Sequence, residues 1–250
     1  MERIKLKAAG KKILADTLTP VSIYLKIRDK YPNSILLESA DYHSQENSYS
    51  FICFNPIASF CIDKEQVNCI FPNGRELRRP IAHREQVIDS LEGFARLFEV
   101  EKNDFPFQNG LFGYMSYDAV KYFDEIEVGT RPEEDNIPIM HYAVYKNVIS
   151  INHFNDEAYL YSFSHDGENN IDEVEEYISV KTFPSFHFKK TGETKSNHSD
   201  KSFINLVEKA KEHCQLGDVF QLVLSRRFSQ KFQGDEFNVY RALRSVNPSP

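Results

Sequence analysis

Tryptophan is absent from the 250 residues, methionine occurs three times and cysteine four times. The missing tryptophan excludes nothing specific, because 13 tyrosines and 20 phenylalanines carry the aromatic content. The scarcity of cysteine says more. Cys53, Cys61, Cys69 and Cys214 show no Cys-x-x-Cys spacing, which argues against a metal site and leaves four reduced thiols expected in or near the core. The eight histidines are scattered, and none pairs with another His or a Glu at the helical spacing of metal ligands, so no metal ligand is assigned. No apolar run is long enough to cross a bilayer, and Met1-Glu2-Arg3-Ile4-Lys5 opens onto no signal-peptide core. A cytoplasmic protein is expected. There is no basic surplus either: 30 Lys and Arg against 37 Asp and Glu leave a formal charge of -7, whereas a phosphate backbone needs a basic face.

What is present reads as a globular protein, with 41% hydrophobic and 27% charged residues and no internal repeat or low-complexity tract. Thr19-Pro20 announces a helix, an N-cap candidate before a proline whose ring presets the first helical φ, and Val21, Tyr24, Leu25 and Arg28 form its stripe. Ile35 to Ser39, Tyr49 to Phe54, Ile57 to Ile62 and Val67 to Phe71 read as an antiparallel meander, with a polar loop from Asp41 to Ser48 and a turn at Asn55-Pro56. Val87, Leu91, Phe94, Ala95 and Phe98 recur at helical spacing. Small residues inside the aromatic strand Asn109 to Val120 point to close backbone approach or a bulge. Further strands are expected at Ile139 to Ile151 and Ala158 to Phe163, and a helix on Ile171, Val174 and Ile178.

Residues 189–199 are polar and turn-rich, so a first domain is expected over 1–188, a linker over 189–199 and a second region over 200–250. That region reads as a helix with Phe203, Val207, Ala210 and Cys214 on one face, a Gly217-Asp218 turn, a strand from Val219 to Phe228 and a helix around Phe237, Tyr240 and Leu243. Two helices and one strand cannot bury both faces of that strand or pair both its edges. The chain is therefore expected to be part of a longer protein, and the strand to lack partners.

Taken singly, the motifs decide little. Leu36-Leu37-Glu38-Ser39-Ala40-Asp41 is an apolar strand running into a polar loop, and Arg226-Arg227 suits either an acidic ligand or solvated surface. Their order is specific. Thr19-Pro20-Val21, the Leu36 to Asp41 block, Tyr49-Ser50-Phe51, Asn55-Pro56, Gly110 to Tyr114 with Tyr117 to Val120, the block from Gly217 to Phe228, Tyr240 to Arg244 and Asn247-Pro248-Ser249-Pro250 closely resemble, in sequence order, the large subunits of chorismate-using enzymes, anthranilate synthase component I in particular.

The resemblance implies an α+β fold, part of a four-layer α/β/β/α architecture with mostly antiparallel sheets. For the full-length enzyme it implies amination of chorismate with ammonia from glutamine, delivered by an amidotransferase subunit, and loss of pyruvate to give anthranilate for tryptophan biosynthesis. Mg2+ is the implied cofactor, with its ligands and the acid-base groups beyond Pro250, so no catalytic or metal residue is assigned here. Tryptophan is the implied feedback inhibitor, with Ser39 matching the contacting serine and Asn247 and Pro250 matching the start of the opposite wall. One departure is that a basic residue common before Tyr-Ser-Phe is here Asn47-Ser48. Alternatives on the same scaffold are aminodeoxychorismate or isochorismate synthesis; from another class, a non-catalytic amino-acid-binding module.

Overall fold

The computed structural model describes residues 3–38, 48–129 and 137–247. They form two compact units divided between Pro184 and Ser185. In the first unit the elements run β1 (Ile4–Leu14), α1 (Pro20–Ile27), β2 (Ile35–Glu38), β3 (Tyr49–Asp63), β4 (Gln66–Ile70), β5 (Glu76–Pro80), α2 (Glu85–Ala95), β6 (Phe98–Val100), β7 (Phe112–Met115), a 3-10 helix (Tyr117–Tyr122), β8 (Met140–Asn152), β9 (Glu157–Ser164) and α3 (Ile171–Ser179).

One sheet of nine strands organises this unit, seven of them in the order β5-β4-β3-β8-β9-β1-β6, with β2 beside β3 and β7 beside β8 off that path. Its spine is the antiparallel pair β3 and β8, in register from Tyr49 opposite Asn152 to Ile62 opposite Met140. Each long strand is shared on its outer edge: β3 takes β2 and then β4, and β8 takes β7 and then β9. The short β1–β6 pairing is parallel and the rest antiparallel. The α+β class with mostly antiparallel sheet holds.

The two faces of the sheet bury separate clusters. Phe60, Ile62, Val67 and Cys69 pack under α2 through Val87 and Phe94, and under the 3-10 helix through Ala119 and Tyr122. Ile52, Phe54, Ile149 and Ile151 pack under Ile23 and Ile27 of α1 and Ile171, Val174 and Ile178 of α3. A run of rings extends the first cluster, with Phe107 5.4 Å from Phe51 and 5.3 Å from Tyr161 between centroids; each such pair adds about 0.5–1.5 kcal/mol beyond burial.

The expected turn at Asn55-Pro56 is instead a bulge within one strand. Asn55 takes φ +60°, which asparagine tolerates, and the register on β8 slips between Pro56 and Ala58. Proline has no N–H for a regular ladder, and the bulge absorbs that while β8 continues. The extra residue also reverses the alternation, so Cys53 before the bulge and Ala58, Phe60 and Ile62 after it join the same cluster. The close approach expected near Gly113 is present: an added Cβ there would lie 1.9 Å from the His141 carbonyl oxygen. Phe98, expected on α2, lies instead on β6 opposite Ile4, because the helix ends at Ala95.

In the second unit the elements are β10 (Phe188–Ser196), α4 (Asp200–Leu216), β11 (Phe228–Gly234) and α5 (Phe237–Val246). Residues 189–199, read from the sequence as a linker, are mostly β10, which pairs antiparallel with β11 from Phe188 opposite Gly234 to Ser196 opposite Phe228. A two-stranded ribbon can keep polar side chains on both faces, so its composition resembles a linker's. The strand expected from Val219 to Phe228 forms only from Phe228 onward, since among the described residues no strand pairs with 219–227, whose Arg227 carbonyl accepts from the Asn197 N–H at 3.2 Å. Of the thiols, Cys53 and Cys69 are buried and Cys61 half-buried, but Cys214, expected near the core, is exposed on α4.

Candidate functional site

The Leu36 to Asp41 block opens on β2. The way into it is set by α1: Thr19 Oγ1 accepts from the Ser22 N–H at 3.1 Å and Ser22 Oγ accepts from the Thr19 N–H at 3.1 Å, a reciprocal cap that satisfies two otherwise orphan donors. After the helix the chain turns through Asn33 at φ +61°. Two tyrosines hold this turn, Tyr145 donating to the Asn33 carbonyl at 3.0 Å and Tyr24 to the Ser34 carbonyl at 3.3 Å. β2 then pairs with β3, Ile35 opposite Cys53 and Glu38 opposite Ser50.

A polar group sits at this end of the sheet. The Ser50 side chain is fully buried, and its Oγ shares a 2.7 Å hydrogen bond with His153 Nε2. The His153 backbone N–H donates to the Ser48 carbonyl at 3.0 Å, and Asn152 Nδ2 donates to the Tyr49 hydroxyl at 3.0 Å. Tyr49 and Ser50 were visible in the sequence as part of Tyr-Ser-Phe. His153 and Asn152 lie 103 positions from their partners, and only the β3–β8 register brings them there.

Ser39 and Pro250 lie outside the described residues. Asn247 closes α5: its N–H donates to the Leu243 carbonyl at 2.8 Å and the residue is exposed.

Below the sheet, Lys26 of α1 donates to the Ile178 carbonyl at the end of α3. Burial lowers the Lys26 pKa from the usual lysine value, and the ammonium at a helix C-terminus complements the dipole there. Burial likewise pushes the Cys53 thiol well up and Cys69 up to about 11, so neither offers a thiolate nucleophile near neutrality.

In the second unit, Gly217 ends α4 in the left-handed region at φ +81°, where glycine avoids a Cβ clash. Asp218 Oδ2 then lies 2.8 Å from His213 Nδ1. Arg226, which suited either an acidic ligand or solvated surface, is tied within its own unit. Its Nη1 donates to Asp200 Oδ1 at 2.7 Å and its Nε to Ser196 Oγ at 2.8 Å, and its guanidinium lies 4.8 Å from the Phe228 ring centroid. The neighbouring backbone is clasped to Asn197, the Arg227 N–H donating to Asn197 Oδ1 at 2.9 Å. Among the described residues no three His, Cys, Asp or Glu side chains converge as a metal site would require, and no helix is long and apolar enough to cross a membrane.

Residues 33–250 match the family described as chorismate binding enzyme. Anthranilate synthase component 1 of Aquifex aeolicus is 30% identical over 95% of this chain and 50% of its own length, and that of Thermus thermophilus 30% identical over 100% and 53%. A solved structure of anthranilate synthase component I from Streptococcus pneumoniae superposes with a TM-score of 0.54 at 25% identity, covering 96% of this chain and 53% of that one. The chain spans about half the length of the curated relatives it matches. With the matched region taking in most of both units, the chain belongs to the chorismate-binding enzyme family.

Proposed function

We propose that the chain is the effector-binding N-terminal part of an anthranilate synthase component I, whose full-length form converts chorismate and glutamine-derived ammonia to anthranilate and pyruvate. The observation that carries this reading is the alignment of nearly the whole chain, 95% and 100% of it, with component 1 proteins of two organisms. The order of the motifs along the sequence supports it.

In this reading the first unit senses tryptophan and the second opens the chorismate-binding region. A free amino acid needs hydrogen-bonding groups for its ammonium and carboxylate and an apolar slot for its side chain. Ser39 is the assigned hydroxyl, and Asn247 and Pro250 the opposite wall. Catalysis in the full-length enzyme works with an amidotransferase subunit and with magnesium, which as a hard Lewis acid holds carboxylate and assists the departing hydroxyl. No residue of this chain is assigned to that ion, so the chain by itself is expected to be inactive.

The test uses the full-length enzyme carrying Ser39→Ala, following anthranilate fluorescence across a tryptophan titration. Losing one hydrogen bond to a charged ligand group costs about 1.5–3 kcal/mol, so inhibition should weaken roughly ten- to a hundredfold while uninhibited turnover is kept. Unchanged inhibition, or turnover lost without tryptophan, would sink the assignment.

A further inference from the structure

Between the β4–β5 hairpin and α2 the first unit contains a groove of about 650 Å³, far along the sheet from β2. Its floor is apolar, made by Val67, Cys69, Phe71 and Leu77 with Phe94 and Leu97 behind them. The helix wall is different. Val87 and Phe94 of α2 pack on the floor, while Gln86, Asp89, Ser90 and Gly93 follow one another at helical spacing on the flank of the helix that lines the groove. Small and polar residues on that flank leave the groove open beside Leu77 and Leu97, which are half-buried, while Val67, Cys69 and Phe71 beneath are buried. A Cβ added at Gly93 would meet nothing within 4 Å, so the glycine is there without any demand of packing.

Two opposite charges line this groove. Arg79 comes from β5 and Asp89 from α2, and among the described residues neither has an ion pair or side-chain hydrogen bond. Arg79 stands close enough to the floor to pull the Cys69 thiol down against the larger upward push of burial. We propose that this groove binds a small zwitterion with an apolar body, its carboxylate on Arg79, its ammonium on Asp89 and its body on the floor. A plain carboxylate would bring a like charge to Asp89, and a plain amine would do the same to Arg79, so the pair selects for both groups on one molecule. Guanidinium suits a carboxylate through its paired donors, and the volume suits a small molecule, such pockets running from about 300 to 1,000 Å³.

The experiment is an amide-resolved NMR titration of the full 250-residue chain with L-phenylalanine, 3-phenylpropanoate, which lacks the amine, and 2-phenylethylamine, which lacks the carboxylate. L-phenylalanine should give saturable shifts at Cys69, Leu77 and Gly93, and each one-charge analogue should bind about tenfold more weakly or worse. Arg79→Gln and Asp89→Asn, both at exposed positions, should cost L-phenylalanine about the same factor. Gly93→Leu should fill the groove and abolish the shifts while preserving the folded spectrum. Equal affinity for the three probes, shifts confined to residues outside the groove, retained binding in folded Gly93→Leu, or no saturation by about 10 mM would each overturn the proposal.

Discussion

The two units of this chain use similar side chains to opposite effect. In the first, Phe54, Phe60, Ile62 and Phe163 have no exposed surface, because each strand is paired and each face of the sheet is covered by helix or loop. In the second, Asp235 is the one buried position among the described residues, while Phe220, Val223 and Val246 stand in water. The second unit is held by polar clasps, Arg226 to Asp200 and Ser196 and Asn197 to the Arg227 backbone, and by single ring pairs such as Phe188 with Phe232. Burial is thus a property of the neighbours a segment meets. Apolar content alone does not supply it.

Thiol chemistry should show the contrast most strongly. Cys214 is exposed and Cys53 fully buried, so a thiol reagent under native conditions should modify Cys214 orders of magnitude faster than Cys53, whose labelling waits on opening of the sheet. Comparable labelling rates read by peptide mass spectrometry would erase the distinction between the units.

Truncation at matched rings comes next. Phe60→Ala removes a buried ring that lies 5.8 Å from Phe94 and should cost about 3–5 kcal/mol of unfolding free energy by urea titration. Phe220→Ala removes a fully exposed ring and should stay within about 0.5 kcal/mol. A smaller effect separates two glycines. Gly113→Ala drives a methyl into the His141 carbonyl and should cost about 1–3 kcal/mol, whereas at Gly110 nothing lies within 4 Å and alanine should be tolerated. Equal midpoints for the two alanine variants would contradict the close approach of β7 to β8.

The smallest effect is in pH. Burial lowers the His141 pKa from its ordinary value of 6.5, so as pH falls below that value the unfolded chain takes up a proton that the folded one resists. The stabilisation is complete above the unfolded pKa and declines as pH drops toward the lowered folded value. His141→Gln should flatten the slope of thermal midpoint against pH in that window; an unaltered slope would remove the role of this imidazole.

Much of the first unit can be read locally. Thr19-Pro20 specifies the start of α1 through the cap and the preset φ, and the alternation in Ile57 to Ile62 specifies a strand with one buried side. The resemblance rests on ordered blocks and needs no folding to be seen. Harder to read were segments whose state depends on a distant partner. β1, rich in lysine, becomes interior to the sheet order because β9 and β6 flank it. The candidate site divides the same way: Ser39, Asn247 and Pro250 came from matched motifs, while the Ser50–His153 contact needed the β3–β8 register.

The sequence by itself determined the start of α1, the period of the strands and the resemblance to the family, because backbone preference and motif order reside in neighbouring residues. Tertiary structure alone decided that the polar residues 188–196 form a strand while the apolar 219–227 do not. A strand exists only where a second backbone accepts and donates its hydrogen bonds. β11 offers that to the first segment, and no described strand offers it to the second.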